Sequence, residues 1–133
     1  MHNYTILSGK EVSDHVYRNL QDRVDLLFKN NIRPGLAAVL VGENPASKIY
    51  INMKTKKFHN LGLKTETFKL SVDCSQEELI QVIEKINNDS SFHGILVQLP
   101  LPNHIDSKSI INSICPKKDV DGFHPENAGL LSI

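Results

Sequence analysis

Residues 36–62 read LAAVLVGENPASKIYINMKTKKFHNLG, an uninterrupted apolar run followed by a turn and then a helical pattern. An apolar run of strand length between turn residues is typical of a strand buried on both faces. The turn residues are Gly42 to Pro45, and a helix is predicted from Ala46 to about Leu61, with Gly62 as its stop. A strand that is buried on both faces needs a layer of helices on each side of its sheet.

The same alternation continues on both sides of this segment. Capping boxes of the S-x-x-E type open two more helical patterns, at Ser8 and at Ser75. Further strands are predicted at residues 65–70 and 94–99, and a short helix near residues 107–114. We therefore expect an α/β fold with three layers, αβα, and a mainly parallel sheet. Without an internal repeat or linker, residues 1–133 are expected to form a single domain.

Composition excludes several classes of protein. The chain has 133 residues, with 15 Lys and Arg balancing 15 Asp and Glu, so electrostatics gives no reason to expect nucleic acid or an anionic membrane as a partner. No apolar run approaches the ~18 residues of a membrane-spanning helix, and the first residues do not resemble a signal peptide. Cys74 and Cys115 match neither a disulfide framework nor a metal clip. We expect a cytoplasmic protein with both thiols reduced.

Lys54 stands out in the helix after Gly42. At about 100° per residue it falls on the same stripe as the apolar Ile51 and Phe58, with Tyr50 one turn before it and Ser47 two turns before it. In one interpretation Lys54 extends along the helix edge and keeps its ammonium in water. In the other it ends in a cleft where desolvation favours the neutral amine, so that it acts as a general acid or base. Helix geometry alone leaves both interpretations open.

Two further positions are candidates for a site. Gln98 ends a predicted parallel strand, where ligands of open α/β sheets collect, although it could also only cap the strand. Asp119 and Asp121 should point to opposite sides of an extended segment. Their Asp-Val-Asp-Gly sequence lacks the further oxygen ligands of a calcium loop, so no metal site is expected. One of the two carboxylates is expected to be a buried hydrogen-bond acceptor, for structure or for a ligand.

The histidines and glycines point away from other chemistries. The six histidines have no HxxxH or HExxH spacing. The seven glycines form neither GxGxxG nor GxxxxGK[ST], so neither a dinucleotide site nor a phosphate-binding P-loop is predicted.

Three segments together resemble one enzyme family. They are VGENPASKIYINMK at residues 41–54, GILVQLPLP at 94–102 and PKKDVDGFHP at 116–125. In order and spacing they look like the catalytic domain of bifunctional methylenetetrahydrofolate dehydrogenase/methenyltetrahydrofolate cyclohydrolases. The resemblance covers essentially the whole chain.

The resemblance implies roles for particular residues. The family oxidises 5,10-methylenetetrahydrofolate with NADP and hydrolyses the resulting methenyl cation to 10-formyltetrahydrofolate. By similarity, Lys54 is the catalytic lysine, Gln98 holds and polarises it, and Tyr50 lines the folate cleft and packs against the ligand's rings. Asp121 would accept hydrogen bonds from the pterin. The remaining substrate contacts implied are Ser47, Leu99 and Pro100.

NADP is expected for the family, but its site is not encoded in these residues. The family continues into a Rossmann domain with a Gly-rich nucleotide loop, whereas this sequence stops at Ile133. We therefore expect cyclohydrolase activity, with dehydrogenase activity only if a nucleotide domain is supplied elsewhere. The partners considered are a separate NADP-binding domain and, by self-association, a second copy of this chain. The alternative is a non-catalytic module or partner subunit that binds reduced folate. Lys54 favours the enzyme, because a pure binder needs Tyr50 and Asp121 but no base.

Overall fold

The structure, a computed structural model, describes residues 8–133. Its elements in chain order are α1 (Gly9–Lys29), β1 (Gly35–Val41), α2 (Pro45–Asn60), β2 (Lys64–Leu70), α3 (Gln76–Asn88), β3 (Gly94–Val97), α4 (Ser107–Ser113), a 3₁₀ helix (Pro116–Lys118) and α5 (Pro125–Leu130). Tertiary contacts divide the chain after Arg33 into two compact units. The first unit contains α1, and the second contains all the other elements.

The helix of the first unit begins where the sequence predicts. The Ser8 hydroxyl accepts a hydrogen bond from the Glu11 amide at 3.4 Å, which satisfies one of the free N–H groups of the first turn. Lys29 lies in the last turn, where a positive charge interacts favourably with the helix dipole.

The second unit is built on a parallel sheet with the strand order β2-β1-β3. Val39 in the central strand pairs with Phe68 on one side and Val97 on the other. Every residue of β1 is buried, which confirms the prediction of a strand covered on both faces.

Helices cover both faces of this sheet, so the predicted three layers are confirmed. On one face, Ala37, Val39 and Val41 of β1 share a core with α3 and α4, whose contributions are Leu79, Ile83, Ile86 and Ile110. On the other face, Leu36, Ala38 and Leu40 pack with Ile51 of α2. Alternate residues of one strand therefore serve two cores.

Local signals fix the ends of α2. The Asn44 side chain accepts from the Ser47 amide at 3.1 Å, and Pro45 occupies the first turn, where a missing N–H costs nothing. After the helix, Gly62 adopts φ +72°. Its amide donates to the His59 carbonyl at 2.9 Å and the Leu63 amide donates to the Phe58 carbonyl at 3.1 Å, so Gly62 stops the helix as predicted.

The end of β3 differs from the prediction. The strand ends at Val97 rather than Leu99, so Gln98 follows the strand instead of closing it. Pro100 has no N–H group with which to extend the ladder. The domain boundaries 1–133 remain a prediction.

Two short elements near the carboxyl terminus were not predicted. The 3₁₀ helix and α5 are too short to display an apolar stripe. Both have a proline in the first turn, and α5 is also capped by the His124 ring, which accepts from the Glu126 amide at 3.2 Å.

None of the helices described within residues 8–133 is long and apolar enough to cross a membrane.

Candidate active site

A cavity of about 220 Å³ lies at the carboxyl end of β3. Its lining residues are Lys54, Leu96, Val97, Gln98, Leu99, Asp121 and Phe123. The polar members come from α2, from the residue after β3 and from the loop that follows the 3₁₀ helix. In an open parallel sheet this is the edge at which ligands bind. The fold thus brings together four candidates from separate parts of the sequence, Lys54, Gln98, Leu99 and Asp121.

Lys54 lines the cavity but remains exposed to solvent. Helix geometry left two interpretations of Lys54 open, and the structure supports the one in which the ammonium stays in water. The inward side of α2 is occupied by Ile51 and Ser47, which are 2% and 4% exposed, while the long Lys54 side chain reaches water from the edge of that stripe. Among residues 8–133 the structure gives its ammonium no hydrogen-bond or ion-pair partner, so its three donors are available to a ligand.

Gln98 presents an unused acceptor. Its Nε2 donates to the Leu99 carbonyl at 2.8 Å, and its Oε1 is buried without a hydrogen-bond partner. A buried amide oxygen left unpaired costs free energy, and native proteins rarely leave one without a reason. Two donors could reach Gln98 Oε1 within this cavity, the Lys54 ammonium and an N–H group of a bound ligand.

Asp121 supplies the negative charge of the cavity. Burial raises the pKa of its carboxyl above the ordinary value, the Asp119 charge acts in the same direction, and Lys54 opposes both. The residue as a whole remains exposed, so the carboxyl can still be reached from solvent.

Asp119 has a different role from Asp121. Its carboxylate accepts from the amides of Gly122 and His124 at 3.1 and 2.9 Å, and from Asn127 Nδ2 at 3.0 Å. Burial alone would raise the pKa of Asp119, but these hydrogen bonds outweigh it and the pKa lies below its ordinary value. Of the pair, Asp119 is the carboxylate that accepts hydrogen bonds from the protein, although it is half-buried rather than buried as predicted.

The loop that carries Asp121 is held against β3 and α3. The Val120 amide donates to the Ile95 carbonyl at 3.5 Å, and a Cβ added to Gly94 would lie 2.5 Å from Val120 Cγ1. Glycine at position 94 therefore allows the loop to approach the strand closely. At the other end of the loop, the Lys118 ammonium donates to three carbonyls at the end of α3, at 3.0, 2.7 and 2.9 Å; the acceptors belong to Ile86, Asn87 and Asp89.

Three predicted residues do not line this cavity. Tyr50 is 56% exposed, one turn before Lys54 on α2. The buried Ser47 belongs to the first turn of α2. Pro100 lines a separate cavity of about 200 Å³ with Gly42 and Asn44, among other residues of the turns after the strands. Their roles toward a ligand stay predictions.

The sequence interpretation missed Leu96, Val97 and Phe123 as cavity residues. Leu96 and Val97 belong to the apolar run of β3, and such a run predicts a buried strand without indicating that any of its residues lines a cavity. Phe123 offered one signal, its position directly after Asp121 and Gly122, and the structure leaves it 54% exposed.

Two larger concavities lack comparable chemistry. One of about 590 Å³ is lined by exposed polar side chains of α3 and by Asp89. Another of about 380 Å³ lies beside Cys74. There burial, with Glu78 and Asp73 adding to it, raises the pKa of the thiol and makes Cys74 a poor nucleophile. Across residues 8–133, no cluster of three His, Cys, Asp or Glu side chains could hold a metal ion.

The chain matches the profile described as "Tetrahydrofolate dehydrogenase/cyclohydrolase, catalytic domain" over residues 7–121. It belongs to this family. Curated relatives include the bifunctional protein FolD of Acetivibrio thermocellus, 48% identical over 128 residues, which make up 96% of this chain and 45% of that protein. The FolD of Streptococcus agalactiae is 51% identical over 127 residues, or 95% of this chain and 45% of that protein.

Solved structures of the tetrahydrofolate dehydrogenase/cyclohydrolase family share the fold. The bifunctional FolD of Campylobacter jejuni superposes with a TM-score of 0.92 at 44% identity, over 96% of this chain and 45% of that chain. The FolD of Trypanosoma brucei, solved in complex with NADP cofactor and inhibitor, also gives 0.92, at 32% identity over 100% of this chain and 46% of that chain. The present chain spans about half the length of the curated relatives that it matches.

Proposed function

We propose that this chain binds the pterin end of a reduced folate in the Lys54–Gln98–Asp121 cavity and hydrolyses 5,10-methenyltetrahydrofolate to 10-formyltetrahydrofolate. The observation that carries the proposal is the convergence of an ammonium, an unpartnered buried amide oxygen and a carboxylate on one cavity. Membership of a family whose relatives are named as bifunctional folate enzymes supports the choice of substrate.

The cavity suits a ring system with a polar edge. About 220 Å³ is smaller than the roughly 300–1,000 Å³ that encloses a whole drug-sized ligand, so only part of a folate would enter it. A pterin presents an amino group and a ring N–H side by side, and the Asp121 carboxylate can accept from both in a charge-assisted pair. Tyr50, on the exposed side of α2, would pack against the part of the ligand that remains outside.

Hydrolysis then requires proton transfers at the attacking water, at the hydroxyl that it becomes and at N5. Water adds to the carbon that bridges N5 and N10 of the methenyl cation and loses a proton, giving a neutral carbinolamine. The hydroxyl of the carbinolamine then loses its proton to become the formyl carbonyl, while the bond from that carbon to N5 breaks and N5 takes up a proton, so the formyl group remains on N10. The net reaction consumes one water and releases one proton. In the complex, a bound folate would cover the cavity and exclude water from Lys54, and its side chain would then act as a neutral amine that accepts the proton from water and returns one to N5, with Gln98 Oε1 accepting a hydrogen bond from it.

NADP does not fit the residues present. A dinucleotide site of the Rossmann type needs a Gly-rich turn between a strand and a helix, and this sequence contains no GxGxxG. The turn after β1 contains a single glycine, Gly42. These residues therefore provide no site for the hydride acceptor of a dehydrogenase step. A nucleotide domain supplied by another chain, and a cytoplasmic location, remain expectations.

The test is the loss of methenyltetrahydrofolate absorbance in the presence of the chain, without NADP and corrected for spontaneous hydrolysis. Acceleration proportional to protein concentration is the expected result. A chain that binds 5-formyltetrahydrofolate in calorimetry without accelerating the decay would be a folate-binding module, the alternative function. A chain that neither binds nor accelerates would overturn the proposal.

A further inference from the structure

The Asp119 carboxylate binds the part of the chain that follows Asp121 and does not line the cavity itself. One carboxylate oxygen, Oδ1, accepts from the Gly122 amide, and the other, Oδ2, accepts from the His124 amide and from Asn127 Nδ2. The two amides belong to residues one and three positions after Asp121. The Asp119 carboxylate thus forms a hydrogen-bonded turn around Asp121, the residue proposed to bind the pterin.

The backbone conformation of this loop depends on that closure. Gly122 adopts φ +70°, in the left-handed region, which turns the chain directly after Asp121. The next contact along the chain is Asn127 of α5, whose Nδ2 also donates to the Pro116 carbonyl at 2.8 Å. Asp119 and Asn127 therefore link the 3₁₀ helix, the loop and α5 into one unit that fixes the direction in which Asp121 leaves the backbone.

The charge of Asp119 also reaches Asp121. The charged groups that act on the Asp121 carboxyl are Lys54 from α2 and Asp119 from its own loop, while β3 and the two residues after it contribute only uncharged side chains to the cavity. Asp119 raises the pKa of Asp121, and Lys54 lowers it. Removal of the Asp119 charge should therefore lower the pKa of Asp121.

We propose that Asp119 is a positioning residue for folate binding: it holds the 119–124 loop so that the Asp121 carboxylate faces the pterin site, and it does so without contacting the ligand. This inference rests on the proposed function for the ligand's identity. It goes beyond that function because it gives a role in substrate affinity to a residue outside the cavity.

The test compares Asp119→Asn with Asp106→Asn in the full chain. Asp106 is a matched carboxylate, since it accepts from the amides of Lys108 and Ser109 at the start of α4 and is not among the residues of the cavity. Asp119→Asn is expected to raise KM for methenyltetrahydrofolate about tenfold, the size of a weakened charged hydrogen bond, with a smaller change in kcat. Asp106→Asn should leave KM unchanged.

A second readout separates positioning from simple support of the fold. The acid limb of kcat/KM, where Asp121 gains its proton, should move to lower pH in Asp119→Asn, which a general loss of stability would not cause. Asn127→Ala keeps the Asp119 charge and removes one donor, so it should raise KM without that pH shift. If Asp119→Asn loses stability but keeps both KM and the acid limb, the proposal is overturned.

The outcome stays decisive if the chain has no turnover. In that case the proposed function fails, and the ¹³C NMR titration of the Asp121 carboxyl in wild type and Asp119→Asn decides the matter without substrate. A lower midpoint together with altered Gly122 and His124 amide shifts supports the positioning role. An unchanged midpoint and unchanged shifts contradict it. Should Asp119→Asn fail to fold, Asn127→Ala replaces it: altered Gly122 and His124 amide shifts support the positioning role, and unchanged shifts contradict it.

Discussion

Lys54, Gln98 and Asp121 offer a ligand three complementary hydrogen-bonding groups. The ammonium provides only donors, the free amide oxygen only an acceptor, and the carboxylate an acceptor that also carries charge. Because the Gln98 amide nitrogen is already committed to the Leu99 carbonyl, its orientation is fixed before a ligand arrives. Such preorganisation reduces the ordering cost of binding.

The first prediction concerns Asp121. Asp121→Ala should weaken the binding of 5-formyltetrahydrofolate by about 1–3 kcal/mol, because the pterin donors lose a charged acceptor. Isothermal titration calorimetry measures the change. Glu84→Gln, a carboxylate change on the exposed side of α3, serves as the control and should leave the affinity unaltered. Unchanged affinity in Asp121→Ala would remove Asp121 from the pterin site.

Sequence periodicity placed Lys54 correctly on the cavity side of α2 but left the depth of its ammonium undecided. A period of 3.6 residues gives the direction in which a side chain leaves the helix, whereas the reach of a flexible lysine depends on what surrounds it. The contacts of Asp119 with Asn127 were equally hidden, since they join residues of different elements and leave no periodic trace.

At the level of elements, the segment between α4 and α5 is hydrogen-bonded to the carboxyl-terminal end of α3. Lys118 donates to the final carbonyls of α3, and Asn87 of the same helix bonds the Ser113 carbonyl and the Cys115 amide, at 2.8 and 2.9 Å. These bonds satisfy carbonyl groups that a helix end leaves free. They also hold the start of the Asp121 loop in place.

The second prediction is that Lys118→Met destabilises the fold by about 1–3 kcal/mol, because it leaves three carbonyls without their charged donor. Lys117→Met is the matched control, as Lys117 is exposed in the same 3₁₀ helix. Urea unfolding gives both values. Equal midpoints for the two variants would show that the Lys118 bonds add nothing to stability.

The elements that were predicted correctly carry strong local signals. Ser75 and Glu78 form the full reciprocal capping box at the start of α3, and Asn44 with Pro45 start α2. α5, by contrast, owes its start to the His124 ring, a residue that rarely identifies a cap from sequence. The strand β3 ended early for a reason visible in the sequence, the proline at position 100.

At the scale of the whole molecule, the second unit combines apolar cores on both faces of the central strand with a polar site at the carboxyl end of β3. Leu79, Ile83 and Ile110 are fully buried, while the candidate residues gather where the strands end. Core and site therefore depend on different residues. Substitutions in the site should change function before they change the fold.

The third prediction is that the free energy of unfolding decreases below about pH 4. Hydrogen bonds from Ser109 hold the pKa of Asp106 below its ordinary value, and those from Ser91 do the same for Asp89. The pKa of Asp119 is also lowered, by its hydrogen bonds from Asn127 and the loop amides. Groups whose pKa is lower in the folded chain stabilise it above the unfolded value of about 3.9 and lose that contribution as the pH falls through the folded value.

Asp121 acts in the opposite sense, because its raised pKa makes the folded chain easier to protonate. Because three carboxyl groups have a lowered pKa and one has a raised pKa, the free energy of unfolding should decrease in acid. Urea midpoints measured from neutral pH to pH 3 test this, with Asp106→Asn as a variant that keeps a helix cap and should flatten the slope. A midpoint that stays constant or rises in acid would contradict the assignment.

The central claim is that Lys54 transfers protons during hydrolysis, whereas the affinity of the site for folate depends little on it. The most direct measurement determines, on one preparation of Lys54→Met, both the affinity for 5-formyltetrahydrofolate and the rate of methenyltetrahydrofolate hydrolysis. Lys56→Met is the control, since residue 56 lies about 200° farther around α2. We expect Lys54→Met to bind within a few-fold of wild type and to lose the acceleration, while Lys56→Met retains both. Hydrolysis that persists in Lys54→Met, or affinity that is lost with it, would contradict the claim.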